Sequence, residues 1–81
     1  MDEVERRAVD RFRDAMAASD APAVRLSLHP YLQWTWPDGS VVRGRVNVLA
    51  ALSAGGVPEP PAVVELRDGQ IYRWGSEPLA D

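Results

Sequence analysis

Three tryptophans, one histidine and a few arginines and aspartates are the side chains here from which a site could be built. Trp34, Trp36 and Trp74 are half of the aromatic residues. Carried on strands, indoles offer a flat amphipathic surface to an apolar or aromatic ligand. Their competing use is core and dimer interface, where Trp brings the most buried area per residue to a small chain. His29 is the one side chain that titrates near neutrality and could serve as a general base. Its place beside Pro30, at the end of an expected helix, points instead to a capping role at that helix's negative pole. Arg43 and Arg45 flank Gly44 at the mouth of another expected helix, where an anion could dock with help from a guanidinium. The plainer use of these arginines is an ion pair with an acid on a strand or a partner. Asp38 and Asp68 each precede a glycine, and turn geometry accounts for both. Ser27, Ser40, Ser53 and Ser76 stand outside any Gly-x-Ser-x-Gly context. With no cysteine there is no disulfide, thiol nucleophile or thiolate metal site. A single histidine argues against a histidine metal cage.

The elements that must position these residues follow from periodicity. Over residues 2–18, Val4, Ala8, Phe12 and Ala15/Met16 recur at spacings of three and four, with Val9 widening the stripe, so an amphipathic helix is expected. Asp2/Arg6 and Glu3/Arg7 are acid-before-base pairs one turn apart. Asp20 can cap a second helix with Pro22 in its first turn, running about Ala23–Leu28 and stopped by Pro30. Tyr31–Trp36 alternates, with Leu32, Trp34 and Trp36 on one face, and reads as a strand. Asp38-Gly39 then predicts a hairpin into Ser40–Arg43. A third helix is expected over about Arg45–Ala54, ended by Gly55-Gly56. Val57–Pro61 is a stiff connector in which Pro58, Pro60 and Pro61 forbid helix and central strand. Val63–Leu66 and Ile71–Trp74 flank a second Asp-Gly turn. Two-residue pairing would put Val64, Leu66, Ile71 and Arg73 on one face, and Val63, Glu65, Tyr72 and Trp74 on the other. Glu65 and Arg73 would need partners if turned toward the helices. The tail 75–81 is expected to be loose.

At 81 residues, 46% apolar and 26% charged, the chain is sized for one domain, 1–81, with its core over about 4–74. No apolar run is long enough to span a bilayer, and the acidic start, Met1-Asp2-Glu3, is unlike a secretory leader. A cytoplasmic location and no membrane partner are the expectation. All nine basic residues are Arg, and a net charge of −3 without a basic tract argues against nucleic acid. A core this small, with no disulfide or metal to help it, favours self-association.

The order ααββαββ describes an α+β domain with helices on one face of a mostly antiparallel sheet. That order and its particular words resemble the nuclear transport factor 2-like superfamily, of the cystatin-like class. The superfamily includes SnoaL-like polyketide cyclases, ketosteroid isomerases and limonene epoxide hydrolase relatives. The resemblance runs over about residues 4–74. It is carried by Asp20–Ala23, Leu28-His29-Pro30, Trp34–Gly39, Arg43-Gly44-Arg45 with Val48–Leu52, and Leu66–Trp74. It implies a curved sheet around an apolar pocket. The family carries at least one more strand pair between the third helix and the last strands, where this chain has only Gly55–Pro61, so the resemblance is to a shortened member. In ketosteroid isomerases the proton-shuttling acid directly precedes a proline at the end of the first strand. The matching residue here is Trp36, and an indole cannot accept that proton.

The expectation drawn from these readings is a non-catalytic homodimer that binds a small apolar ligand without a cofactor. Trp34, Trp36 and Trp74 would contact the ligand, and Arg43 would anchor its polar end. The alternatives are a purely structural dimerisation module and a cyclase- or isomerase-type enzyme using His29 or Asp38.

Overall fold

In a computed structural model, residues 2–76 are described. The element order is α1 (Glu3–Ala17), α2 (Ala21–Ser27), β1 (Leu28–Thr35), β2 (Val41–Arg43), α3 (Arg45–Leu52), β3 (Val63–Arg67) and β4 (Gln70–Gly75). This is the expected ααββαββ order.

Helix α1 begins with a capping box. Asp2 accepts from the Glu5 N–H at 2.8 Å, and the Glu5 carboxylate accepts from the Asp2 N–H at 3.0 Å. Its buried face centres on Val9, Phe12 and Ala15, with Ala8 and Met16 at its margins, while Val4 in the first turn lies exposed. Ser19 takes a positive φ of 55° and ends the helix. Asp20 caps α2 through the Ala23 N–H. None of the helices is long and apolar enough to cross a membrane.

The sheet order is β2-β1-β4-β3, with the outer pairings antiparallel and the central β1–β4 pairing parallel. Two irregularities set which side chains face the helices. Glu65 pairs with Arg73 but the next residue, Leu66, pairs with Ile71, so Tyr72 is left opposite nothing in a β-bulge. The extra residue corrects the face assignment expected from simple two-residue pairing. Ile71 and Trp74 both turn inward beside Leu66 and Val64, and Glu65 and Arg73 turn out together as a 3.2 Å ion pair. In β1, Leu28 pairs with Ile71 and Gln33 with Arg73, so five residues of β1 span two of β4. Pro30, without an N–H for the ladder, sits within that irregular stretch. The strand therefore starts at Leu28, three residues before the expected Tyr31.

One core joins the helices to this face of the sheet, with Phe12, Leu28, Leu32, Trp34, Val48 and Ile71 fully buried in it. The proline connector is held from α1, where Arg13 Nε donates to the Pro58 carbonyl at 2.9 Å. Gly75 belongs to β4, pairing with Thr35 and Val63, and the Ser76 N–H donates to the Thr35 carbonyl. The expected loose tail therefore does not begin at 75, and its remainder, 77–81, lies outside the described residues.

Candidate functional site

The tryptophans expected to grip a ligand meet one another inside the protein. Trp34 is 0% and Trp74 1% exposed, and their rings stack 4.4 Å apart. Phe12 presses on both, with ring centroids 5.9 and 5.4 Å away. Trp36 lies half-buried at the edge of the cluster, 5.7 Å from Trp34. The two buried indole N–H groups have no acceptor among the described residues. Arg43 is elsewhere. It pairs with Gln33 on β1, while Trp34 pairs with Val42. Alternation therefore puts Arg43 on the sheet face opposite Trp34. Three of the four candidate residues are thus assembled, and Arg43 is separated from them.

His29 lies in β1 rather than at a helix end. Its Nδ1 accepts from the Tyr31 N–H at 3.1 Å, its ring meets the Tyr72 ring edge-on at 5.1 Å, and its Nε2 is 4.0 Å from an Asp68 carboxylate oxygen. Arg67 stacks over the Tyr72 ring at 4.1 Å. The capping expectation is replaced by a packed, hydrogen-bonded strand histidine, because β1 begins before Pro30. Asp38 is committed to its turn, accepting from the Ser40 hydroxyl at 2.6 Å and the Ser40 N–H at 2.8 Å. These bonds, the hydroxyl's first, hold its carboxyl below the ordinary range. Among the described residues, no three His, Asp or Glu side chains converge on a possible metal position.

The open space lies on the helical side. A groove of about 1140 Å³ lies between α2 and α3, bordered also by Met16 and Ala17 at the end of α1 and by Gly56 and Val57 in the loop after α3. Met16, Val24, Leu26, Leu49, Leu52 and Val57 give it an apolar wall. Arg25 and Arg45 are its two charged residues, and it has no acid, histidine or tryptophan. The local reason is visible in α3. Val46, Val48, Leu49 and Leu52 place apolar groups on several sides of an eight-residue helix. Val48 and Leu52 face the core, Leu49 borders the groove, and Val46 is 76% exposed. A helix apolar on several sides is normally surrounded. Among the described residues nothing covers the side toward α2, where Leu26 is 70% exposed. Sequence reasoning passed over this groove because Val24, Leu49 and Leu52 read as ordinary helix stripes, although Arg45 already stood out at the start of α3.

No family model and no curated protein matches the sequence. A solved structure does resemble it in shape: an NTF-2 like protein of unknown function from Burkholderia xenovorans LB400, with a TM-score of 0.64 at 19% identity. The match covers 98% of this chain and 88% of that one, so the short form of the fold is common to both. Together with the ααββαββ order, this similarity shows that the chain has the nuclear transport factor 2-like fold.

Proposed function

We propose that the protein is a non-catalytic binder of a small apolar ligand, seated in the α2–α3 groove. The observation that carries this reading is the groove itself, about 1140 Å³ of largely apolar, open space beside an interior filled by Phe12, Trp34 and Trp74. Apolar concavities with a few polar groups are the usual form of small-molecule sites. Its lining has no side chain suited to moving a proton near neutrality, which favours binding over catalysis. Trp36, at the position where isomerases carry their acid, favours the same reading. In this reading the tryptophans do not touch the ligand; they fill the same core that the groove residues Val24 and Leu52 join.

A titration with 1-decanol, followed by amide chemical shifts, tests this. Shifts gathered at Val24, Leu49 and Leu52, and lost in Leu49→Glu, are the expected result. Shifts gathered at Trp36 or Arg43 would overturn the location, and no shifts at all would overturn the reading.

Homodimerisation is a second reading, favoured by one observation. Among the described residues, strand β3 pairs only with β4, leaving its outer edge without a strand partner, and Val63 on it is 65% exposed. Such an edge is a template for another strand. Light scattering across a concentration series should then give a dimer, and Val63→Lys should return it to monomer.

A further inference from the structure

This inference rests on the groove being a ligand site, and it concerns what kind of ligand that site selects. We propose that the α2–α3 groove takes an amphipathic anion, an apolar body with a carboxylate head, the head held by Arg25 and Arg45.

The charge distribution is the first argument. The chain has twelve acidic residues against nine basic ones, yet the groove wall carries two arginines and no acid. Among the described residues, no carboxylate lies within ion-pair distance of either arginine; the carboxylate contacts of basic side chains are Arg7–Glu3, Arg73–Glu65 and His29–Asp68. Two guanidiniums beside apolar surface, in a lining that contains no acid, make a positive field that favours an anion.

The second argument is position. Arg25 lies in the last turn of α2, and the Arg45 side chain reaches Leu28, where α2 ends and β1 begins. The Arg25 carbonyl accepts the Leu28 N–H, and Arg45 Nη1 reaches the Leu28 carbonyl at 3.4 Å. That long contact orients the Arg45 side chain while leaving most of its five donors free. The cationic part of the groove is therefore at the α2 C-terminus. The apolar part, Met16, Leu52 and Val57, comes from the far ends of α1 and α3 and the following loop. A head-and-tail molecule matches this division: planar guanidiniums pair with a carboxylate through parallel N–H donors, and the tail covers apolar wall.

The test compares decanoate, 1-decanol and decylammonium, each below its micelle concentration, by calorimetry with the whole chain. Decanoate is expected to bind about tenfold or more tightly than decanol, the scale of one or two charge-assisted contacts in an open site. Decylammonium is expected to bind weakest. Arg25→Gln, at an exposed position, should bring decanoate most of the way to the decanol value and leave decanol unchanged. The double variant with Arg45→Gln should complete the loss, with circular dichroism checking its fold. Raised salt should weaken decanoate and spare decanol. Equal affinities for decanoate and decanol, or a decanoate affinity untouched by Arg25→Gln, would overturn the anion selection while leaving an apolar site in place. Absence of binding by all three would overturn the groove reading itself.

Discussion

Trp34 and Trp74 lie face to face, with ring planes 8° from parallel, because they are register partners on the neighbouring parallel strands β1 and β4. The strand spacing of a sheet, about 4.8 Å, is close to the distance at which two flat rings touch. The same placement buries both indole N–H groups without an acceptor among the described residues, a cost of about 1–3 kcal/mol each that the packed area must exceed.

Trp34→Ala should therefore cost about 3–5 kcal/mol. A chain of this length holds roughly 4–12 kcal/mol in all, so the loss is a large share of the total and should lower the urea midpoint markedly. Trp74→Phe should cost less, since it also removes an unpartnered donor. Wild-type fluorescence should be blue-shifted and resistant to quenching, with Trp36 the residue a quencher reaches.

His29→Ala should lower stability by about 1–3 kcal/mol, because the Tyr31 N–H loses its acceptor and the Tyr72 ring its neighbour. Decanol affinity should not change, since His29 does not line the groove. An activity that vanished with His29 while the fold survived would contradict the non-catalytic reading.

Gly44→Ala should destabilise by about 1–3 kcal/mol. Gly44 holds φ 88°, ψ 134° at the entry to α3, a conformation unfavourable to any residue with a Cβ. A Cβ there would meet only ordinary contacts, so the loss is backbone strain rather than collision. Because Arg45 follows directly, decanoate affinity should fall further than decanol affinity.

The Asp38 carboxyl, held below its ordinary value of 3.8, makes a testable contribution to acid stability. A depressed folded value means this contribution is fully present above pH 3.8 and is lost as pH falls through the folded value. Ser40→Ala removes the larger of the two main causes, the hydroxyl bond, and should move the Asp38 titration, followed by carbon NMR, back toward the ordinary value. Asp38→Asn should flatten the corresponding part of the acid unfolding curve.

The elements were legible because their causes are local. Helix α1 could be read from its spacing and its acidic first turn, and both hairpins from Asp-Gly pairs. Gly39 takes φ 89°, and Asp68 and Gly69 take 54° and 76°, as tight turns demand. The ααββαββ order, and with it the resemblance that the fold comparison supports, needed no more than these short-range preferences.

What lay beyond the sequence was every relation that depends on how distant segments meet. The Tyr72 bulge decides that Trp74 faces the core, and a bulge is chosen by the fit of two strands against the helices, not by the hairpin's own residues. The parallel pairing of β1 with β4 makes the tryptophans a stack inside the protein. The α2–α3 groove arises where two short helices, apolar on more than one side, settle on the sheet with no described residue filling the space between them. Periodicity shows that a residue is apolar and which neighbours share its face. Whether that face is covered depends on the other segments of the chain, and in this protein only the tertiary arrangement decided it.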